Sequence, residues 1–122
     1  MNLNHLYLLV RDVDRSVAFY RHLFGFDGPS EWQGETFVIR NAEGFSLALT
    51  PDPEPPAWPQ GLHFGFLLDS AADASRLRER ISAAGISIIE SYSEPAFVVF
   101  KCHDPDGYVV EVEAGVPEHP PA

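Results

Sequence analysis

His5, His63 and Glu111 have the strongest claim to chemistry in this chain. Two imidazoles and one carboxylate form the set that binds a divalent metal while leaving coordination positions open for water or a substrate. Singly, each has an ordinary reading: a histidine among leucines is commonly structural, and a glutamate alternating with valines commonly faces water. Their placement shifts the balance. His5 lies in "LNHLYLLV" and His63 in "LHFGFLL", at an offset of 58, and Glu111 follows a turn in "DPDGYVVEVE". With the two-residue period of a strand, His5, Tyr7 and Leu9 share one face, and Val109, Glu111 and Glu113 share another. Tyr7 would then point into the same cavity as His5 and donate a hydrogen bond. Glu113 is the candidate base, and Leu9, Trp32, Phe37, Leu67 and Val109 are candidates for an apolar substrate-binding wall.

The elements that position these residues read as two copies of one unit. Leu3 to Val10 is a strand. Asp12 or Asp14 offers an N-cap for a helix with Val17, Tyr20, Leu23 and Phe24 at helical spacing, and Gly25 stops it. Strands are expected at Phe26–Pro29, Gly34–Arg40 and Phe45–Thr50. Residues 51–61 form a linker, since five of the ten residues from Pro51 to Gln60 are proline. The pattern then restarts with a strand at Leu62–Leu68. Ser70 caps a helix carrying Ala74, Leu77, Ile81 and Ala84 on one face, Gly85 ends it, and strands follow at Ile86–Tyr92, Phe97–Lys101 and Tyr108–Glu113. Gly25 maps to Gly85 at an offset of 60 and Gly44 to Gly107 at 63, so the repeat holds with small insertions. The fold class is α+β: one domain over residues 1–122, built from βαβββ modules at 3–50 and 62–114, with a loose tail at 115–122. A module of about 50 residues is too small to bury its own sheet face, so the copies must pair within or between chains, and a homodimer is expected.

Composition narrows the partners. With 18 Asp+Glu against 8 Lys+Arg, the formal charge is −10, and no basic cluster stands out. Nucleic acid and anionic membrane are therefore excluded as partners, and the absence of a long apolar run argues for a soluble, cytoplasmic protein. The one cysteine, Cys102, rules out an internal disulfide or multi-thiolate zinc site and reads as a small buried hydrophobe. His22, His103 and His119 read as surface or structural residues.

The doubled βαβββ pattern, "NHLYLLVRDVDRSVAFYRHLFGF" at the start, "LHFGF" after the linker and "DPDGYVVEV" near the end together resemble the vicinal oxygen chelate superfamily of glyoxalases, bleomycin-resistance proteins and extradiol dioxygenases. The likeness spans roughly residues 3 to 114. Its most specific pieces are Asp12, Ser16, Phe19 and Tyr20 in the first helix and the DPDG stretch ending at Glu111. It implies two modules curling their sheets into a half-open barrel, commonly completed in a dimer, with His5, His63 and Glu111 at family metal positions. A divalent cation (Mn, Fe, Co, Ni or Zn) would chelate two neighbouring oxygens of a small substrate and stabilise the negative charge that develops there.

Departures from the family pattern limit the reaction. Glyoxalase I has a fourth carboxylate or amide ligand where the repeat alignment puts Ala48 opposite Glu111, which argues for the three-ligand branch of thiol transferases and dioxygenases. Against fosfomycin-type thiol transferases, Tyr7 stands where they tend to place a threonine, and the chain ends before their C-terminal arginine. Against catechol dioxygenases, no His and Tyr pair beside the metal is assignable among Tyr7, Tyr92, His103 and Tyr108. The expected function is a metal-dependent lyase, transferase or dioxygenase acting on a small vicinal-oxygen substrate. The alternative is a metal-free, bleomycin-resistance-like protein that sequesters a small molecule, for which the negative charge would attract a cationic ligand.

Overall fold

In each half of the chain an apolar strand runs into a capped helix and returns as an antiparallel meander. The computed structural model, described over residues 1–119, divides between Ala57 and Trp58 into two units. Unit 1 comprises β1 (His5–Val10), α1 (Val13–Phe24), β2 (Glu31–Gln33), β3 (Thr36–Arg40) and β4 (Ser46–Pro51). Its sheet has the order β1-β4-β3-β2, with β1 parallel to β4 and the other pairs antiparallel. Asp12 caps α1 by accepting the Arg15 N–H (3.2 Å), and Gly25 ends it in the left-handed region at φ 71°, which a glycine adopts without a Cβ penalty. Leu8, Val10, Leu47, Leu49 and Ile39 are buried, as are Val17, Phe19 and Tyr20 of α1.

The strand expected at Phe26–Pro29 is not formed; the edge strand starts at Glu31. Phe26 is instead a fully buried anchor after the helix, with its ring 5.9 Å from Tyr20 and 6.5 Å from Phe45. Gly28 closes onto β3, its N–H donating to the Arg40 carbonyl at 2.9 Å. A Cβ on Gly28 would sit 2.9 Å from that same oxygen. Pro29 then has no N–H to contribute, so pairing begins beyond it.

Unit 2 comprises β5 (Phe64–Leu68), α2 (Ala71–Ala83), β6 (Ile88–Glu94), β7 (Phe97–His103) and β8 (Val109–Gly115), in the sheet order β5-β8-β7-β6 with β5 parallel to β8. Ser70 caps α2 by accepting the Asp73 N–H (3.1 Å). The helix packs on β7 and β8 through buried Ala74, Leu77 and Ile81. Ala84, expected on that face, is the exposed C-cap instead. A register shift between Ile88 and Glu90 turns the remainder of β6 so that Glu90 pairs with Lys101.

The two units repeat one another in element order and in the register of their first and last strands. Tyr7, two positions after His5, pairs with Ala48, whereas Gly65, two positions after His63, pairs with Glu111. The registers therefore make Ala48 and Glu111 equivalent, as the glycine landmarks require. The proline-rich linker ends earlier than residue 61: the Trp58 ring packs 4.6 Å from Tyr108 and its indole N–H donates to the Leu62 carbonyl, which ties it to unit 2. The segment from Gly115 to His119 is also held, contrary to the loose tail expected there; residues 120–122 lie outside the described residues. Gly115 ends β8, the Val116 N–H donates to Ala96 O, and Glu118 and His119 donate to the Glu94 carboxylate. Among the described residues, no helix is long and apolar enough to cross a membrane.

Candidate functional site

Strand alternation puts Val110, Val112 and Ala114 of β8 into the buried face of the unit 2 sheet and turns Glu111 to the other face. There the register builds a transverse row: Glu90 on β6 opposite Lys101 on β7, Lys101 opposite Glu111 on β8, and Glu111 opposite Gly65 on β5. The next row along is Tyr92, Val99, Glu113 and Leu67. His63 immediately precedes β5, one residue short of the strand expected to contain it. Its Nε2 lies 3.7 Å from Glu111 Oε2.

This separation is longer than a hydrogen bond, yet two donors each about 2.1 Å from one ion can stand up to about 4.2 Å apart. Gly65 keeps the space beside the pair open: a Cβ there would come 3.2 Å from both the Cβ and the backbone oxygen of Glu111 and 3.5 Å from its Oε2. The donor types and the spacing thus suit a divalent cation with two protein ligands in unit 2. Among the described residues, no group of three or more His, Cys, Asp or Glu side chains is gathered tightly enough to hold a metal by itself.

His5 belongs to unit 1, where it opens β1 opposite Ser46 and is exposed. Its Nδ1–H donates to the Asn4 side-chain oxygen at 2.7 Å, which leaves the Nε2 lone pair for another partner. Tyr7, on the same face, is 54% exposed, and Leu9 is half-buried. Trp32 and Phe37 are placed elsewhere than the reading of one apolar wall required. Phe37 pairs with Leu49, and Leu49 with Leu8, so both aromatics occupy the face opposite His5 and Tyr7, with ring centroids 4.9 Å apart. Strand parity decides this: Val38 pairs with Ala48, and Ala48 with Tyr7, so the neighbouring Phe37 points to the other face. In unit 2, Leu67 and Glu113 are exposed and paired with each other, and Val109 is half-buried opposite His103. His103 itself is exposed, as is His22.

Lys101, Glu90 and Glu94 on the Glu111 face escaped the sequence reading as functional candidates, and Tyr92 beside them was weighed only as a member of a dioxygenase-like His and Tyr pair. The Lys101 ammonium is 2.6 Å from Glu90 Oε2, and this hydrogen bond, reinforced by the lysine charge, holds the Glu90 carboxyl below the usual glutamate range. Tyr92 donates to Glu94 Oε1 at 2.9 Å, which raises its hydroxyl above the ordinary tyrosine value. Desolvation acts upward on Glu94, but the hydrogen bonds from His119, the Glu118 N–H and Tyr92 outweigh it and keep that carboxyl low. The signal for Lys101 was present in "FVVFKCH": a charged residue sharing parity with His103 and lying across from Glu111.

The comparisons with known proteins bear on the fold and the family. A family described as the Glyoxalase/Bleomycin resistance protein/Dioxygenase superfamily matches residues 2–112. Glutathione transferase FosA of Serratia marcescens is 29% identical over 117 residues, covering 93% of this chain and 81% of the relative. An uncharacterised Pseudomonas aeruginosa protein is 33% identical over 128 residues, covering 97% of this chain and 91% of that one. Among solved structures, a possible glyoxalase from Bacillus cereus superposes with a TM-score of 0.76 at 25% identity, covering 92% of this chain and 97% of that one. The protein, with its doubled βαβββ modules, belongs to the Glyoxalase/Bleomycin resistance protein/Dioxygenase superfamily.

Proposed function

We propose that the protein is a divalent-metal-dependent enzyme of lyase, thiol-transferase or dioxygenase type, acting on a small molecule with two neighbouring oxygens. The observation that carries this reading is the His63–Glu111 pair at 3.7 Å beside the opening left by Gly65. His5 is the third ligand on the strength of the family resemblance. When bound, such a cation would act as a Lewis acid on the two substrate oxygens. The chain's own contributions are separate: His63 and Glu111 hold the ion, Leu67 and Val109 offer apolar surface to the substrate, and Tyr7 and Glu113 are the candidate hydrogen-bond donor and base. Glutathione transfer is the first reaction to assay, because a glutathione transferase is among the relatives.

The test is elemental analysis of untagged protein after incubation with Mn, Co, Ni or Zn, with ferrous iron added anaerobically. Near-stoichiometric metal is expected in the wild type. A loss of at least tenfold in affinity is expected in Glu111→Gln and in His63→Ala, and a measurable loss in His5→Ala. Unchanged affinity in Glu111→Gln would sink the ligand set. No metal under any of these conditions would favour sequestration of a small molecule, a reading that the exposed Leu67 and Tyr92 beside an acidic face also support. The same proposal makes the protein a cytoplasmic homodimer, to be checked by sedimentation equilibrium and by fractionation of the source cells.

A further inference from the structure

Lys101 is the one lysine of a chain with net charge −10, and the one Lys or Arg in the four strands of its sheet. Strand β7 is otherwise apolar up to its last residue, His103, and the Lys101 side chain is only 21% exposed. It lines a depression of about 200 Å³ together with Glu90, Tyr92, Val99 and Glu111. Its present partner, Glu90, is 66% exposed, so the ion pair forms at a wet edge where such pairs stabilise little and exchange readily. Lys101 and Glu111 are directly opposed across β7 and β8, which places their Cβ atoms about 4.5–5.5 Å apart. A small molecule held at Glu111 would therefore lie beside the residue that carries this ammonium.

We propose that Lys101 is a specificity residue: it selects substrates that carry a carboxylate next to the two oxygens held at the metal, and Glu90 stands in for that carboxylate when no substrate is bound. The inference rests on the metal reading above and goes beyond it by naming the substrate class, small oxygen chelators with a second, anionic arm. Charge makes the two steps interdependent. Without an ion, Glu90, Lys101, Glu111 and Glu113 carry a formal charge of −2 (one lysine against three glutamates) that repels an anion, and a divalent cation at Glu111 cancels it. A half-buried ammonium placed for an anion rejects an analogue lacking one, because the charge is then left to its weaker surface partner.

L-malate and 2-hydroxybutyrate test this directly. They share the 2-hydroxy acid head that chelates a metal and differ in a terminal carboxylate against a methyl. Metal content is measured first, and then the affinity of the loaded protein for each acid by titration calorimetry. The wild type should bind malate at least tenfold more tightly, and only when metal is present. Lys101→Met should bring the two acids to equal affinity with metal content and 2-hydroxybutyrate binding unchanged, and Lys101→Arg should restore the preference. Glu90→Gln, which removes the competing anion and leaves Lys101 in place, should tighten malate severalfold without affecting 2-hydroxybutyrate. It also carries the test should Lys101→Met fail to fold. A malate preference that survives in Lys101→Met, equal affinities in the wild type, or a metal-loaded protein that binds neither acid would overturn the role of Lys101 alone. A protein that takes up no metal would overturn the parent reading, and this one with it.

Discussion

At the scale of single residues, neighbouring positions on one strand have opposite fates. Lys101 faces the candidate site, while Cys102, one residue on, is completely buried, and its thiol is pushed up to about 11 by burial and secondarily by the charge of Asp104. A raised folded-state value contributes stability that is fully present below the unfolded value of 9.0 and is lost as pH rises toward about 11. The loss amounts to no more than about 3 kcal/mol, from 1.36 kcal/mol per unit. Urea titrations from pH 8 to pH 11 should show a steeper decline for the wild type than for Cys102→Ala; parallel declines would mean the thiol is not held in its protonated form. His63 and Glu111 were legible in the sequence because a repeat and a turn gave each a fixed position. Lys101 was less so, because a lone lysine in a valine-rich strand is ordinarily a snorkelling surface residue. Its partner Glu90 depends on an irregularity in β6 that no alternation pattern announces.

At the scale of elements, the site depends on how closely β5 approaches β8. Gly65 is the residue that permits the approach beside Glu111, and a valine there would press branched methyls against a backbone oxygen already 3.2 Å from the Cβ position. Gly65→Val should destabilise the protein by about 1–3 kcal/mol and weaken metal binding at least tenfold, read by chemical denaturation and metal titration. An unaffected metal affinity would show that the opening beside Glu111 has no role. The far end of the same sheet makes a different device. Glu94 gathers Tyr92, Glu118 and His119 onto the end of β6. Glu94→Ala should therefore lower the heteronuclear NOE of residues 116–119 while leaving amide exchange in β7 and β8 unchanged. Sequence reasoning found both helices and their caps because Asp12, Ser70 and Gly25 announce the boundaries locally. It misplaced β2 and loosened the tail because those depend on what a distant segment offers, a carbonyl of Arg40 in one case and a carboxylate of Glu94 in the other.

At the scale of the whole molecule, the charge of −10 bears on any test of metal binding. Cations of every kind relieve the mutual repulsion of an acidic chain, so a rise in melting temperature on adding metal salt is not by itself a sign of a site. Specific binding to the folded state has a separate signature. A ligand at a hundred times its Kd adds about 2.7 kcal/mol of stability, which for a chain of this length corresponds to a shift of roughly 10 °C. Magnesium at the same concentration supplies the screening while favouring all-oxygen coordination, so it should give only the general part. Nickel or zinc should therefore raise the melting temperature well beyond magnesium in the wild type. In Glu111→Gln, which leaves the overall charge nearly unchanged, the three metals should give the same small shift. Equal shifts for all three in the wild type would assign the whole effect to charge screening and leave Glu111 as an acidic residue on a solvated sheet face.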